Sequence, residues 1–487
     1  MQQKLVLKPI VLAIALTSSC AGFAAPVFVN HLTVSGTATD LAPNPGGTGG
    51  ANVNRLGGFG SDFFYDRNQD VYYGLNDRGA GGGLYSYDTR VQKFKLDVNS
   101  TTGAIGNFKL IDTIQFKDGA NSFNGLNPGS LNGDKSLLGR SLDPEGFVVG
   151  RNGNFYVSDE YGPSVKEFRP DGSFIRSFTT PANILPKANG TPNFVDGRPV
   201  LTTGRQDNRG FEGLTISPDG KKMYAMLQDP LVNEGDPDGR RSRNLRIVEF
   251  DVASGLSTKQ FVYQTESLAN LNARVPDDTF GNNAQGRNIG ISAIIALNDK
   301  EFLIIERDNR GAGVDDPTGA VPVASKRIYK ISIDGASDVS ALDLTGTNDL
   351  PVGVTPVSKT LYFDVAEALK AQGIPIAEKL EGITVGRQLD DGSYALILGT
   401  DNDFSVTQDG EAVQFDVCTD GITSAQVALD SACPVGLNLL PSYLFSIKAD
   451  DLNYAQPQGV PEPGLPMLMA LGLAGLGAMR ARPPINR

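Results

Sequence analysis

"DPEGFVVGRNGNFYVSDEYG", residues 143–162, decides the fold because the chain repeats it. A short apolar run leads to a polar turn, a second apolar run containing Tyr, and an acidic end. Residues 210–230 ("GFEGLTISPDGKKMYAMLQDP") and 379–404 ("KLEGITVGRQLDDGSYALILGTDNDF") keep the same order. Looser copies are "LGGFGSDFFYDRNQDVYYGLNDRG" at 56–79 and "GISAIIALNDKEFLIIERDNRG" at 290–311. Two β-rich runs joined by a tight turn make a hairpin. Pro218-Asp219-Gly220 and Asp390-Asp391-Gly392 are turn sequences in which glycine supplies positive φ.

A second hairpin-like pair usually follows. "SVKEFRPDGSFIRSF" (164–178) turns at Asp171-Gly172; "NLRIVEFDVASGLSTKQFVY" (244–263) and "KRIYKISIDGASDVSALDL" (326–344) are its later counterparts. Four strands per recurring unit predict an all-β chain, a β-propeller of four-stranded blades. Five units can be counted, and the insertions leave room for a sixth, degenerate one. The last unit shows three strands ending in "SYLFSIKADDL" (442–452), and the N-terminal "VFVNHLTVSG" (27–36) is expected to supply the fourth. Closing the ring with strands from both termini protects edges that would otherwise be open. The one helix expected is "DVAEALKAQG" at 364–373, an insertion.

The 487 residues are 40% hydrophobic and carry a formal charge of −12. That length suffices for a sizeable core. The acidic balance argues against nucleic acid or an anionic membrane as the main partner. It suits cation binding, or solubility alone.

Both ends read as addresses. Residues 1–24 have Lys4 and Lys8, an apolar run from Ile10 to Leu16, and small residues before a cleavage point after Ala24, the pattern of a secretory signal peptide. The domain proper is then 25–455. Residues 456–487 contain Pro461-Glu462-Pro463, an apolar stretch from Gly464 to Met479, and Arg480 and Arg482. These parts in this order resemble the PEP-CTERM sorting signal, which implies an exosortase-type protease as partner and only transient membrane contact through the tail. The expected location is the periplasm, the cell surface or the medium. After leader removal only Cys418 and Cys433 remain, most simply one disulfide closing a local loop.

In a propeller the first strand of each unit lines the central channel. Glu145, Glu212 and Glu381 then hold equivalent positions around one axis, with Ser292 in the fourth unit and Gly60 or Ser61 in the first. They are the candidate catalytic carboxylates; the bland alternative is that each Glu-Gly turns or caps locally. Gathered like charges raise one another's pKa unless a cation compensates, and oxygen-only ligands favour a hard ion such as Ca²⁺. The second strands end in further acidic residues, Asp77 in the first unit and then Asp159 and Glu160, Asp229, Glu306 and Asp308, Asp401 and Asp403, which from Asp159 onward are the candidate metal ligands. Arg78, Arg209 and Arg310 accompany them as candidate phosphate-binding residues; the alternative is a ring of solvated turns with surface ion pairs. Asp143 reads as a turn residue before Pro144.

Other chemistries find no support. A Ser-His-Asp triad or a histidine phosphatase would have to use His31, the only histidine, in the closing strand. No Gly-x-Ser-x-Gly elbow occurs, and "GAGGG" (79–83) lacks the Lys-Ser/Thr of a phosphate-binding loop.

The Glu-Gly starts, the "YVSDE" second strand and the "LEGITV…DND" ending resemble the phytase-like β-propeller family, the "esterase-like activity of phytase" proteins, over roughly 52–450. The resemblance implies hydrolysis of a small-molecule ester or phosphoester at an acidic, His-independent, Ca²⁺-dependent site at the channel mouth. Two alternatives stand beside it: a non-catalytic propeller binding a cation or ligand at the cell surface, and a lactonase-like hydrolase.

Overall fold

The computed structural model describes residues 25–42, 54–128, 138–281, 285–409, 413–450 and 452–457. The expected leader, and the expected tail beyond residue 457, lie outside these. Among the described residues the main strands form five four-stranded antiparallel sheets, four of them consecutive hairpin meanders. The first is built from Asp62–Asp66, Val71–Leu75, Arg90–Val98 and Ile105–Gln115. The second has Pro144–Val149, Phe155–Asp159, Ser164–Phe168 and Phe174–Ser177. The third has Phe211–Ile216, Lys222–Leu227, Asn244–Asp251 and Leu256–Gln264. The fourth has Ile289–Ala296, Glu301–Asp308, Lys326–Ser332 and Ser358–Asp364. In the fifth, Lys379–Gln388, Tyr394–Asp401 and Ser442–Ala449 are completed by the N-terminal Val27–Val34, which pairs along Ser442–Ala449.

The first-named, inner strand of each sheet lies beside those of two other sheets, in the order first to fifth and back to the first. Hydrogen bonds cross between sheets: Phe147 N donates to Asp62 Oδ2 (2.8 Å), Ala296 N to Thr215 Oγ1 (2.8 Å) and Tyr65 N to Thr384 Oγ1 (3.1 Å). Five apolar layers fill the spaces between neighbouring sheets. Tyr73 packs toward Phe147 and Phe155, for instance, while Tyr72 packs toward Ile397 on the other side. Because successive side chains alternate across a strand, second strands such as Phe155–Asp159 feed two layers at once. That is why they read as apolar runs rather than as alternating ones.

The turn glycines behave as the sequence required, with φ of +83° at Gly172, +71° at Gly220 and +89° at Gly392. Several expectations need correction. The outer strand of the fourth sheet is Ser358–Asp364, not the "SALDL" run after Asp334-Gly335. That run is irregular, and Leu344 in it and Val339 just before it pack onto Val262. The helix near 364–373 forms over Val365–Ala371 with Asp364 as N-cap, but Leu268–Arg274 and Gln285–Asn288 are helical too. Cys418 and Cys433 form the disulfide, yet Cys418 sits in a strand, Gln414–Thr419, of a small extra sheet inserted in the fifth unit.

Candidate functional site

Each recurring Glu stands at the second or third position of an inner strand, followed by glycine. Strand pairing skips at these places, between Pro144 and Phe147, between Phe211 and Gly213, and between Leu380 and Ile383. Such bulges re-aim a side chain out of the regular pleat. The glycines allow the next sheet to come close. A Cβ on Gly146 would sit 2.6 Å from Leu214 N, on Gly213 2.9 Å from Ile294 N, and on Gly382 2.9 Å from Gly60 O. The repeated Glu-Gly is therefore a device that turns a carboxylate inward where two inner strands touch.

The three glutamates meet in one polar cavity of about 170 Å³, whose wall also includes Arg78, Glu160, Arg209, Asp229, Arg307, Glu378 and Lys379. Six carboxylates face four cations there, so full ionisation would leave two unbalanced negative charges. The Glu145 side chain makes no hydrogen bond or ion pair to any described residue. Among the described residues, the cavity's buried oxygens without a hydrogen-bond donor include Glu160 Oε1, Glu212 Oε2 and Glu381 Oε2. The other oxygens of Glu212 and Glu381 are held, by Gln228 Nε2 at 2.6 Å and Arg307 Nη2 at 2.6 Å. Arg209 donates to Gln228 and lies 3.6 Å from Asp229 and 4.0 Å from Glu160.

Burial raises the pKa of Glu145, Glu160 and Glu212, and neighbouring carboxylates add to the rise, Glu212 acting on the first two and Glu381 on the third. Glu212 is pushed up to about 8. Burial opposes the charges of Arg78, Arg209, Arg307 and Lys379, but the carboxylates around them outweigh it and hold all four above their ordinary values.

Two acidic triplets adjoin this cavity. Asp143, Glu145 and Glu160 each offer an oxygen, all within 4.8 Å of one another. Oxygens sharing one calcium at 2.3–2.6 Å can stand no more than about 5 Å apart, so the spacing and the donor type fit a hard cation. The orphaned Glu160 oxygen supports that fit. Asp143 is thus no solvated turn residue. It is fully buried and accepts from Arg78 N (3.1 Å) and Arg78 Nη1 (2.8 Å). The second triplet, Asp77, Asp401 and Asp403, has the same spacing, but two of its members hold the Lys379 ammonium, 3.1 Å from Asp401 and 2.5 Å from Asp403. Burial lifts Asp401 to about 7 although Lys379 works against the rise.

Four other expected residues are not brought to the cavity. Asp159 is engaged by Lys166 Nζ (3.0 Å) and the backbone of Asp143 and Tyr161. Glu306 accepts from Tyr263 and Lys359, both at 2.5 Å. Asp308 holds Lys326 (2.9 Å) and the Ala324 and Ser325 amides. Arg310 donates to Asp278 O (2.8 Å) and lies over Phe280. Strand alternation explains Glu306 and Asp308: when Arg307 faces the cavity, its two neighbours in the strand face away. Ser292, the fourth unit's counterpart of the glutamates, accepts from Arg307 Nε (2.8 Å), so this sheet presents a cation where the second, third and fifth present an acid. Arg307 and Lys379 escaped the sequence reading, although Lys379 stands two residues before Glu381, on the same face of its strand.

The phytase-like family, "esterase-like activity of phytase", matches residues 54–404. The chain belongs to this family. A relative of this phytase-like protein in Arthroderma benhamiae, described as an uncharacterized secreted protein, is 29% identical over 434 residues, 73% of this chain and 84% of that one. Among solved structures, virginiamycin B lyase from Staphylococcus aureus aligns with 86% of this chain and 98% of its own, at 10% identity and a TM-score of 0.29. The PQQ-bound aldose sugar dehydrogenase of Streptomyces coelicolor aligns with 88% and 95%, at 11% identity and 0.29. Similarity at that level carries nothing about activity.

Proposed function

We propose that this phytase-like protein is an exported hydrolase of ester or phosphoester bonds, built as a five-bladed propeller, acting at the acidic cavity with one bound calcium ion. The observation that carries the proposal is the meeting of Glu145, Glu160, Glu212 and Glu381 in one cavity, where Glu160, Glu212 and Glu381 each keep a buried oxygen that no donor satisfies. Unsatisfied buried acceptors are costly, and they cluster where a ligand supplies the missing partner.

Asp143, Glu145 and Glu160 would hold the ion. When bound, calcium would neutralise charge on the substrate oxygen and make a bound water more acidic. Arg78 and Arg209 supply guanidinium groups for an anionic substrate. Glu212, protonated up to about pH 8, is suited to donate a proton to the leaving oxygen. Glu381, paired with Arg307 and with its second oxygen unoccupied, is suited to accept one from water. A carboxylic acid that keeps its proton near neutral pH is the usual form of a general acid. The disulfide and the secreted relative support export. An exosortase-type partner acting on the tail belongs to the same proposal, and the mass of the exported chain tests it.

The test of activity is hydrolysis of phytate, p-nitrophenyl phosphate, p-nitrophenyl acetate and a sugar lactone, with calcium and after EDTA. Turnover of at least one substrate that EDTA abolishes is expected; lactone alone being turned over would select the lactonase-like chemistry. Metal-independent turnover, or none, rejects the proposal. A binding role without turnover has one observation in its favour, the engagement of Glu212 and Glu381 by Gln228 and Arg307. Calcium raising the Tm of a protein inert toward all four substrates would select it.

A further inference from the structure

The Asp77, Asp401 and Asp403 triplet has the oxygen spacing of a calcium site, and a lysine already stands in it. Lys379 Nζ lies against Asp401 and Asp403. Its charge, together with that of Asp401, acts on Asp77. Asp77 and Asp401 are buried, and the nearby Glu381 adds its own field. An ordinary ion pair sets one ammonium against one carboxylate. Here one ammonium contacts two and acts at longer range on a third, in a place where uncompensated charge is expensive. A divalent ion would balance them better, and the chain uses an amine instead. Lys379 also forms part of the cavity wall beside Glu381.

We propose that Lys379 is a built-in cation that takes the place of a second divalent ion, limiting the cavity to one metal and presenting an ammonium to whatever binds there. Removing the amine while keeping the bulk should uncover a divalent-ion site that the parent protein lacks. This inference is separable from the ion assigned to Asp143, Glu145 and Glu160. The parent's own calcium stoichiometry reports on that ion, and the difference between variant and parent reports on this one.

The experiment is calorimetric titration of the whole protein with CaCl₂ near pH 7.5, paired with thermal melts in calcium and in EDTA. Lys379→Met is expected to bind one calcium more than the parent, and to lose several degrees more of Tm in EDTA than the parent does. Adding Asp401→Asn to that variant is expected to restore the EDTA Tm and to remove the extra ion. Equal stoichiometry in Lys379→Met and parent, with equal EDTA sensitivity, overturns the proposal. If Lys379→Met does not fold in EDTA, recovery of a cooperative melt on adding calcium supports it. If neither calcium nor Asp401→Asn restores folding, the lysine acts through packing and the proposal is overturned.

Discussion

At the scale of single residues, the cavity behaves as a store of unbalanced negative charge. Glu145→Gln and Glu160→Gln remove the charge of two proposed calcium ligands without removing volume. Each is expected to weaken calcium binding by at least about tenfold, roughly 1.4 kcal/mol, and to reduce any calcium-dependent turnover by a larger factor. The metal-free Tm should stay level or rise, because a repelled carboxylate has been neutralised; titration calorimetry and melts in EDTA read both. Glu212 adds a pH dependence whose sign follows from its raised pKa. Its ordinary value is 4.5 and its folded value about 8. Between these the folded protein holds a proton that the unfolded chain has lost, so stability is greatest below pH 4.5 on this account and falls as pH rises toward 8. One such group contributes a slope of at most about 1.4 kcal/mol per pH unit. In EDTA, Tm should therefore fall across this window, and Glu212→Gln should flatten the fall. An equally steep fall in that variant would assign the effect to other groups.

At the scale of elements, the recurring Glu-Gly is set by how tightly inner strands approach one another. Gly146→Ala and Gly213→Ala would push a methyl group to 2.6 Å and 2.9 Å from backbone nitrogens of the next sheet. Overpacking of this kind costs about 1–3 kcal/mol. Gly106→Ala, where nothing lies within 4 Å, is the control expected to leave Tm unchanged. The hairpins, their glycine turns and the disulfide were legible because they depend on local periodicity and on cysteine count. The outer strand Ser358–Asp364 was not, because a long irregular segment separates it from its partner and its exposed face carries little pattern. Alternation hid the cavity in the same way. In "ERDNR" (306–310) the sequence shows acids and arginines side by side, but only the direction of each side chain says that Arg307 enters the cavity while Glu306 and Asp308 pair with lysines elsewhere. Asp143 was undervalued because Asp-Pro normally marks a turn, and burial beneath Arg78 is a tertiary fact.

At the scale of the whole molecule, the two ends of the inner strands do different work. The acidic cavity gathers where those strands begin, around Glu145, Glu212 and Glu381. Where they end, a short strap from Leu452 to Pro457 lies across Val148, Ile216, Ala296 and Val385. The strap is held by Ala455 N donating to Leu297 O (2.7 Å) and by Asn453 Nδ2 donating to Glu301 (2.8 Å). Tyr454 packs edge-on to Tyr394 at 5.3 Å and lies under the Arg67 guanidinium at 4.7 Å. Tyr454→Ala removes one aromatic pair and one cation–π contact at a half-buried site, a loss of about 1–2 kcal/mol. Tm should fall accordingly, while calcium stoichiometry stays at the parent's value, because among the described residues the cavity wall includes none of the strap. Glu145→Gln should do the reverse, changing ion binding and sparing Tm. If Tyr454→Ala alters calcium binding as much as it alters Tm, the two ends are coupled through the inner strands, and the division of the molecule into a stabilising end and a binding end does not hold.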